Sequence, residues 1–473
     1  MNTVDRSPRA IFVFWMPLSL QWIMMALEHP FLAAVIARLA DPTFNLAAYG
    51  VAFAFAILVE SPVIMLMSAS TALVEDARSY LKMRAFAWAL NLLSTALLLF
   101  VLLPPVYGFL TGTLLNLPET VSTLVYGSLW ILLPWPAAIG YRRFLHGLLI
   151  RAGRTRRVAY GTAIRLSGMA LTGLLLARLG LPGAWVGAGA LSAGVVIEAL
   201  AAFFMSRDVI RVIMEDDADP ATLQGQAVPG RTSPPRSVRV GEGSSRARPE
   251  ARLRPRPAPV EGELDFPAIA SFYYPLALTS FIGLTTQPLL TFFMGRAPAP
   301  VESLAVFPVV MALYFLFATF GLSYQEASIA LVGRKGEHRG PMGRFAVGLA
   351  VAASGGLAVL AFTPMARVWF EGISGLTPEL AALAFVPAQI VALGPALSVL
   401  QGFQRALLVQ ARRTRPITLA TVLEVAIIAT LFPVLGWGLG WMGVTAAMAA
   451  LVVGRLGSVL FLYGRVRRVY GSA

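Results

Sequence analysis

Five polar residues in this 473-residue chain have types and spacing that suit the binding of an oxyanion. Arg142 and His146 are four residues apart, so they share one face of a helix. Gln401 and Arg405 repeat that spacing 259 residues later, with Gln404 beside them. A guanidinium group donates forked hydrogen bonds to carboxylate or phosphate, and amides add further donors. We therefore predict that Arg142, His146, Gln401, Gln404 and Arg405 bind a small anionic substrate.

Two carboxylates, Glu28 and Glu60, lie well inside long apolar runs. Removal from water favours the protonated form of a carboxylate, so each could take up and release a proton. We predict that they are the proton-coupling residues. The alternative is that each pairs with a buried arginine such as Arg142 or Arg165. Glu424 lies nearer the end of its apolar run, and we expect it to be structural.

The composition shows which kind of element must carry these polar side chains. Hydrophobic residues make up 57% of the chain, 13% of the residues are charged, and the mean hydropathy is +0.71. Soluble chains have about 45–50% apolar and about 25% charged residues. The chain has no cysteine, which excludes disulfide scaffolds, thiolate-bound zinc and cysteine nucleophiles.

A helix needs about 20 apolar residues to span a bilayer. We therefore predict an all-α polytopic membrane protein with about twelve transmembrane helices. The apolar runs lie near residues 10–38, 45–73, 85–110, 121–150, 158–178, 183–206, 266–296, 301–331, 343–368, 380–410, 417–434 and 437–463.

The distribution of basic residues predicts the orientation in the membrane. Loops on one side of the predicted helices, together with the two tails, carry 19 lysines and arginines, whereas the other side carries four: Arg38, Arg178, Arg296 and Arg367. Basic loops of membrane proteins tend to stay in the cytoplasm. We predict that both termini are cytoplasmic and that the protein resides in the plasma (inner) membrane.

The composition changes sharply between the sixth and seventh helices. Residues 213–264 are rich in Pro, Arg, Gly and Ser and cannot bury enough apolar surface to fold alone. We predict a disordered cytoplasmic linker here, between an N-terminal lobe of residues 1–212 and a C-terminal lobe of residues 265–473. The linker's eight arginines leave open an arm that binds nucleic acid or lipid. We favour the plain linker and expect no nucleic-acid partner.

The two halves are an internal repeat. Pro17 and Pro275 are related by an offset of 258 residues, as are Pro30 and Pro288. Two halves of six helices insert in the same direction, so the repeats are parallel and enclose a central cavity. Each paired proline removes one helical hydrogen bond and kinks its helix. We predict that these four prolines are hinges for alternating access.

Three short motifs resemble those of a known group of membrane proteins. Residues 48–53 (AYGVAF), followed by Pro62, residues 145–151 (LHGLLIR) and residues 272–278 (FYYPLAL) are similar to motifs of the progressive ankylosis family. That family belongs to the multidrug/oligosaccharidyl-lipid/polysaccharide (MOP) superfamily, which also contains the MATE multidrug exporters and the lipid-linked oligosaccharide flippases. The resemblance implies a MATE-like fold and the export of small anions such as citrate, nucleotide or pyrophosphate.

We accordingly predict a secondary exporter of a small organic or phosphate-bearing anion that works by rocker-switch alternating access. Proton or sodium coupling is part of this expectation. The alternatives are a MATE-type multidrug cation antiporter, a flippase for a lipid-linked precursor and a non-transporting membrane scaffold. The sequence has no P-loop and no hydrolase or metalloprotease motif, so we expect no enzymatic activity, no cofactor and no bound metal. The expected partners are a small-molecule substrate and membrane lipids, and we expect a monomer.

Overall fold

The computed structural model describes residues 7–215, 265–333 and 336–471, so most of the predicted linker lies outside the described residues. The described part is helical and contains no strand. Twelve of its helices are long and apolar enough to cross a membrane. They are α1 (Pro8–Ala37), α2 (Pro42–Leu73), α3 (Ala77–Leu102), α4 (Glu119–Arg151), α5 (Thr155–Arg178), α6 (Gly183–Glu215), α7 (Phe266–Met294), α8 (Pro300–Leu331), α9 (Arg339–Phe362), α10 (Pro378–Gln410), α11 (Arg415–Gly438) and α12 (Gly443–Tyr470). The predicted all-α architecture of about twelve helices is confirmed.

The third predicted helix was placed too far along the chain. It was expected near residues 85–110, but α3 spans Ala77–Leu102. Asp76 caps its first turn: it accepts a hydrogen bond from the backbone amide of Ser79, whose hydroxyl oxygen accepts one from the amide of Asp76. The helix ends at Leu102, because the next residue, Leu103, precedes Pro104, and the helical conformation is disfavoured for a residue before a proline.

Several helices are interrupted rather than straight. The interruptions divide α2 into Pro42–Glu60, a 3₁₀ turn at Ser61–Val63 and Leu66–Leu73; α4 into Glu119–Ile131 and Trp135–Arg151; and α10 into Pro378–Val391 and Gly394–Gln410. Short helices follow α3 (Pro104–Gly108) and α9 (Met365–Arg367), and each of them runs into a π-helical turn (Phe109–Leu114 and Val368–Ile373). A third π-helical turn, Pro433–Gly438, ends α11.

The backbone reproduces the sequence repeat. The first parts of α1 (Pro8–Ala26) and α7 (Phe266–Leu284) have bounds that differ by 258 at both ends. Asp41 and Ala299, which precede α2 and α8, have the same offset and the same left-handed backbone, with φ of 49° and 51°. A non-glycine residue rarely adopts this conformation. Its occurrence at equivalent positions therefore shows that the two halves share their turns as well as their helices.

Two of the four predicted hinge prolines lie just after a break in their helix. Between its two segments α1 is interrupted at Leu27, and α7 is interrupted at Thr285. Each break lies three residues before a proline, Pro30 or Pro288, where the missing N–H group removes a helical hydrogen bond. Pro17 and Pro275 lie inside continuous helical segments.

We call residues 7–215 the N-lobe and residues 265–471 the C-lobe. The first helix of each lobe packs against the other lobe. The indole N–H of Trp15 in α1 donates to the Ser323 hydroxyl of α8 at 2.9 Å. The repeat-equivalent Tyr273 in α7 donates its hydroxyl to the Pro62 carbonyl at 2.5 Å. The two donors are repeat equivalents, and the two acceptors lie three residues from equivalence on α8 and α2. The lobes therefore meet through an approximately symmetric pair of crossings on the side where both described chain ends lie. We call that side the linker face and the other side the far face.

Two arginines bridge the lobes at the far face. Arg38, at the end of α1, donates from Nη2 to the carbonyls of Gly372 (2.7 Å) and Ile373 (2.9 Å) in the C-lobe π-helical turn. Its repeat equivalent Arg296 donates to the carbonyl of Thr113 (2.7 Å) in the N-lobe π-helical turn. The last carbonyls of a helical turn lack partners inside it, so they are natural acceptors for a cation.

Candidate functional site

The N-lobe holds a closed ionic cluster. Arg142 donates from Nη1 to Oε2 of Glu198 at 2.6 Å, and Nε of Arg165 lies 3.6 Å from the same oxygen. Arg165 also forms an ion pair with Glu28. All four side chains are at least nine-tenths buried, and their formal charges cancel. Mutual pairing offsets the cost of burying four charges, so this cluster presents no free charge to a ligand.

His146 stands at the edge of this cluster without a hydrogen bond. Its Nε2 lies 3.9 Å from Oε1 of Glu198, and both atoms are buried and lack a hydrogen-bond partner among the described residues. Gly161 packs against the same two side chains, and a methyl group there would contact both. Packing against Gly161 therefore holds the Nε2 edge of the His146 imidazole beside Glu198.

The C-lobe contains a cavity at the corresponding position. Its volume is about 500 Å³, and it is lined by helices α7, α8, α10, α11 and α12 of the C-lobe together with Ile57 of α2. We call it the C-lobe cavity. The polar side chains on its wall include Tyr314, Ser398, Gln401, Arg405, Thr421, Glu424 and Arg455.

A hydrogen-bonded network orders one wall of the C-lobe cavity. Arg455 donates from Nε to Oε1 of Glu424 at 2.6 Å and from Nη1 to the Ser398 hydroxyl at 3.2 Å. Gln401 donates its amide to Oε2 of Glu424 at 3.0 Å and to the Ser458 hydroxyl at 2.7 Å. Gln401 therefore orients Glu424, which in turn neutralises Arg455.

Arg405 is the cation that this network leaves uncompensated. Its Nη2 donates to the Thr421 hydroxyl at 3.3 Å, and its Nε is buried without a partner. Of the charged residues on the cavity wall, Arg405 and Arg455 are positive and Glu424 is negative, which leaves a formal charge of +1. A positive cavity with low-dielectric walls attracts and concentrates anions.

Two glycines let the helices behind Arg405 approach closely. A Cβ on Gly321 of α8 would lie 2.5 Å from the Ser398 carbonyl oxygen of α10. A Cβ on Gly402 would lie 2.5 Å from the Gly321 carbonyl oxygen. The backbones of α8 and α10 thus touch, which fixes the position of Ser398 and Arg405 on the cavity wall.

A smaller pocket lies between the lobes beside the C-lobe cavity. It measures about 150 Å³, and its walls carry five repeat-equivalent pairs: His29 and Gln287, Tyr49 and Phe307, Gly50 and Pro308, Phe53 and Met311, Ile57 and Phe315. Equivalent residues face one another only around the axis that relates the two lobes. This interlobe pocket therefore lies on the pseudo-two-fold axis, and Ile57 and Gln287 also line the C-lobe cavity.

The structure divides the five residues that were predicted to bind one anion. Gln401 and Arg405 line the C-lobe cavity, whereas Gln404 is buried and is not on its wall. Arg142 and His146 belong to the N-lobe ionic cluster and do not reach the C-lobe cavity.

The two predicted coupling carboxylates have different surroundings. Glu28 pairs with Arg165, as the alternative interpretation of the sequence had it. Glu60 is 5% exposed and makes neither an ion pair nor a hydrogen bond with the residues that the structure describes.

Glu424 and Arg455 are functional-site candidates that sequence reasoning did not select. Glu424 lies mid-helix rather than near an end, because α11 starts at Arg415. The repeat offset of 259 maps Arg165 onto Glu424, so the exchange of charge was visible in the sequence. In the parts of the chain that the structure covers, no group of three or more His, Asp or Glu side chains is arranged to hold a metal ion.

No family model and no curated protein sequence matches this chain. Solved structures match it over nearly its whole length. An inward-facing multidrug resistance MATE family transporter of the MOP superfamily covers 98% of this chain and 99% of its own, with 14% identity and a TM-score of 0.70. The lipid II flippase MurJ in an inward closed conformation covers 96% and 87%, with 12% identity and a TM-score of 0.67.

A third match is a MOP superfamily transporter from Pyrococcus furiosus, described as having a binding pocket of reverse polarity. It covers 99% of both chains, with 14% identity and a TM-score of 0.61. The predicted MATE-like architecture is thus confirmed, whereas the narrower likeness to the progressive ankylosis family stays a prediction. With its twelve apolar helices, the chain is an integral, multi-pass membrane protein with the fold that MATE transporters and MurJ share.

Proposed function

We propose that this protein is a secondary transporter that exports a small anion and that the C-lobe cavity is its binding site. The observation that carries the proposal is Arg405, which lies on the wall of a cavity of about 500 Å³ and makes no ion pair with any carboxylate in the described part of the chain. A bound anion would supply the missing partner. An organic cation would meet a positive wall and gain no such bond.

Alternating access would move this cavity between the two faces. The supporting features are the paired helix breaks near Pro30 and Pro288, the pseudo-symmetric crossings and the far-face bridges of Arg38 and Arg296. Rotation of the lobes about the interlobe pocket would break the bridges and open the cavity to the far face. We propose that Pro17 and Pro275 assist by loosening the first segment of each crossing helix.

Proton coupling would pass through Glu28 and Glu60 in this proposal. Protonation of Glu28 would release Arg165, which also contacts Glu198, and so would disturb the pairing of Arg142. Glu60 needs no partner to be displaced before it takes up a proton. Exchange of a proton in the N-lobe would thereby alter the packing of α1, which crosses to the C-lobe through Trp15.

The substrate test compares anion and cation flux in the same vesicles. Arg405→Ala should weaken the transport of citrate or pyrophosphate by removing a donor worth on the order of 1–3 kcal/mol, or roughly 5- to 150-fold in affinity. Arg405→Lys should recover only part, since lysine keeps the charge and loses the fork. The control is Arg367→Ala, which removes an exposed arginine at the far face. Transport of a lipophilic cation that Arg405→Ala leaves unchanged would replace this proposal with a MATE-type multidrug antiporter.

A flippase for a lipid-linked precursor is the second candidate, because MurJ shares the fold. It would also need a basic cavity, since a pyrophosphate group must cross. Translocation of a fluorescent lipid-linked pyrophosphate without citrate flux would favour it. A scaffold, by contrast, would lose its function on deletion of residues 220–260, whereas a transporter would keep its flux.

The orientation proposed is both termini and residues 213–264 in the cytoplasm, with the protein in the plasma (inner) membrane. The absence of native cysteine makes single-cysteine labelling straightforward. A cysteine introduced at Ser233 should not react with an impermeant thiol reagent on intact cells. Labelling of that cysteine from outside would reverse the orientation.

A further inference from the structure

A groove on the outer surface of the N-lobe combines two arginines with a wall of aromatic rings. It has a volume of about 600 Å³ and lies between α3 and α6, over α4. We call it the lateral groove. Its lining residues include Tyr80, Arg84, Trp88, Tyr141, Phe203 and Arg207.

The two arginines occupy similar depths below the linker face. Arg84 is seven residues from the start of α3 and Arg207 is eight residues from the end of α6. At a rise of about 1.5 Å per residue, they lie about 10 and 12 Å along their helices. A hydrocarbon core of about 30 Å centred on α3 (26 residues) and α6 (33 residues) would end about 5 and 10 Å from their linker-face ends, so both arginines lie within about 6 Å of its edge, where headgroups meet acyl chains.

Aromatic residues hold both guanidinium groups while leaving them exposed. Arg207 lies over the rings of Phe203 and Phe204, at 4.7 and 4.5 Å from their centroids. Arg84 lies 5.5 Å from the centroid of Tyr80. Among the described residues, neither arginine has an ion-pair partner. The groove wall carries no carboxylate, so the charge of the pair is available to an anion.

One helical turn deeper the groove becomes apolar on both sides. Trp88 follows Arg84 by four residues and is 54% exposed, and Phe203 precedes Arg207 by four residues. Tyr141 lies between them, with ring centroids 5.5 Å from Trp88 and 6.4 Å from Phe203. The lateral groove therefore offers charge at headgroup depth and an aromatic wall at acyl-chain depth.

The C-lobe lacks this arrangement, so the lateral groove does not follow from the sequence repeat. The π-helical turns that follow α3 and α9 differ by 259 residues, and at that offset the equivalents of Arg84 and Trp88 are Gly343 and Val347, which carry neither a charge nor an aromatic ring. If the two arginines served only to reach the membrane surface, they would not need to share a groove, and that groove would not need a continuous wall of aromatic rings in one lobe alone.

We propose that the lateral groove is a binding site for an anionic phospholipid. Arg84 and Arg207 would bind the phosphate through charge-assisted hydrogen bonds, and an acyl chain would pack along Trp88, Tyr141 and Phe203. The groove is separate from the C-lobe cavity and shares no residue with it. This inference therefore stands whether or not the cavity transports an anion.

The test measures lipid binding to the purified full-length chain in detergent micelles. Phosphatidylglycerol should raise the midpoint of thermal unfolding more than phosphatidylcholine does. In the R84Q/R207Q variant this selectivity should be lost, and the apparent affinity for phosphatidylglycerol should fall at least tenfold. The matched control is R211Q/R465Q: it removes the same charge, one arginine from the end of α6 and one that lies 4.8 Å over the ring of Phe461.

A second readout reports on the acyl chain. Phosphatidylglycerol brominated on its chains should quench tryptophan fluorescence, and Trp88→Phe should remove a saturable part of that quenching. If R84Q/R207Q does not fold, R84K/R207K supplies the same comparison, with binding weakened because the fork is lost. Equal loss of affinity in the two glutamine variants would overturn the proposal. The proposal would also be overturned if inorganic phosphate raised the midpoint of thermal unfolding as much as phosphatidylglycerol does. Quenching that persists unchanged in Trp88→Phe would overturn it as well.

Discussion

Removal of the two far-face bridges should shift the protein towards a state that is open at that face. Arg38 and Arg296 together make three hydrogen bonds to carbonyls of the opposite lobe, at 2.7–2.9 Å. Hydrogen bonds that involve a charged group are worth about 1.5–3 kcal/mol, but exposure to water reduces each of these to about 0.5–1 kcal/mol. The three bonds then stabilise the closed far face by about 1.5–3 kcal/mol.

That free energy sets the expected change in population. A difference of about 1.5–3 kcal/mol alters the ratio of the two states roughly 10- to 150-fold. A far-face-open state populated at about 1% would rise to between about 10% and 60% in the R38A/R296A variant. Each single variant should produce an intermediate shift, larger for Arg38→Ala because Arg38 makes two of the three bonds.

Distance measurement between spin labels can follow this shift. Glu119 is the first residue of α4 and Glu379 is the second residue of α10; both are exposed at the far face, and they belong to different lobes. Cysteines at these two positions can be labelled without removing any native thiol. The R38A/R296A variant should show a new population at longer distance, and the control Arg178→Ala, at the same face, should not.

An unchanged distance distribution in R38A/R296A would refute the reasoning. It would mean that the two bridges contribute nothing to closure of the far face. A shift of the same size in the Arg178→Ala control would refute it as well, because the effect would then follow from lost positive charge rather than from lost bridges.

The remaining predictions concern coupling, the cavity and the start of α3. The Glu28→Gln, Glu60→Gln double variant should abolish pH-gradient-driven flux while substrate binding persists, since glutamine keeps the size and cannot titrate; unchanged driven flux would exclude both residues. Glu424→Gln should strengthen the binding of citrate, measured by calorimetry, because it removes the one negative charge from the cavity wall; weaker binding would contradict the positive-cavity argument. Partial burial opposes ionisation of Asp76, yet hydrogen bonds from Ser79 outweigh it and lower the pKa of this carboxyl. Its contribution should therefore be present above the ordinary pKa of aspartate and be lost as the pH falls through the lowered value. Asp76→Ala should cost about 1 kcal/mol of stability at neutral pH and less in acid, which thermal unfolding at two pH values can check.

The helical architecture could be predicted because its signals are local. Apolar runs give the helices, and the paired prolines at positions 30 and 288 predict the breaks that the backbone shows at Leu27 and Thr285. The ends of α3 were missed because apolar residues continue past Pro104, whereas Asp76 and the proline fix the actual bounds. Capping and proline geometry outweighed hydropathy at both ends.

The candidate site was predictable only in part, since its chemistry depends on pairing across helices. Arg142 and Arg405 look alike in sequence, but Glu198 of α6 neutralises Arg142. Among the residues that the structure describes, Arg405 makes a side-chain hydrogen bond only to the hydroxyl of Thr421. No periodicity reveals which acid faces which arginine. The repeat offset of 259 does show that Arg165 of the N-lobe corresponds to Glu424 of the C-lobe. The sign of the charge at this position is therefore reversed between the lobes.

The fusion of two like halves has a consequence for specialisation. A symmetric homodimer with this architecture would carry two identical chambers, and any change to one would be imposed on the other. In a single chain the two copies can diverge. The first residues of α6 and α12, Gly183 and Gly443, differ by 260, and at that offset Glu198 of the N-lobe corresponds to Ser458 of the C-lobe. The N-lobe copy holds an ionic cluster whose formal charges cancel, whereas the C-lobe copy lines a cavity with a formal charge of +1. A chain assembled from two N-terminal halves would therefore have two ionic clusters and no C-lobe cavity, and under the proposed function it should not transport an anion.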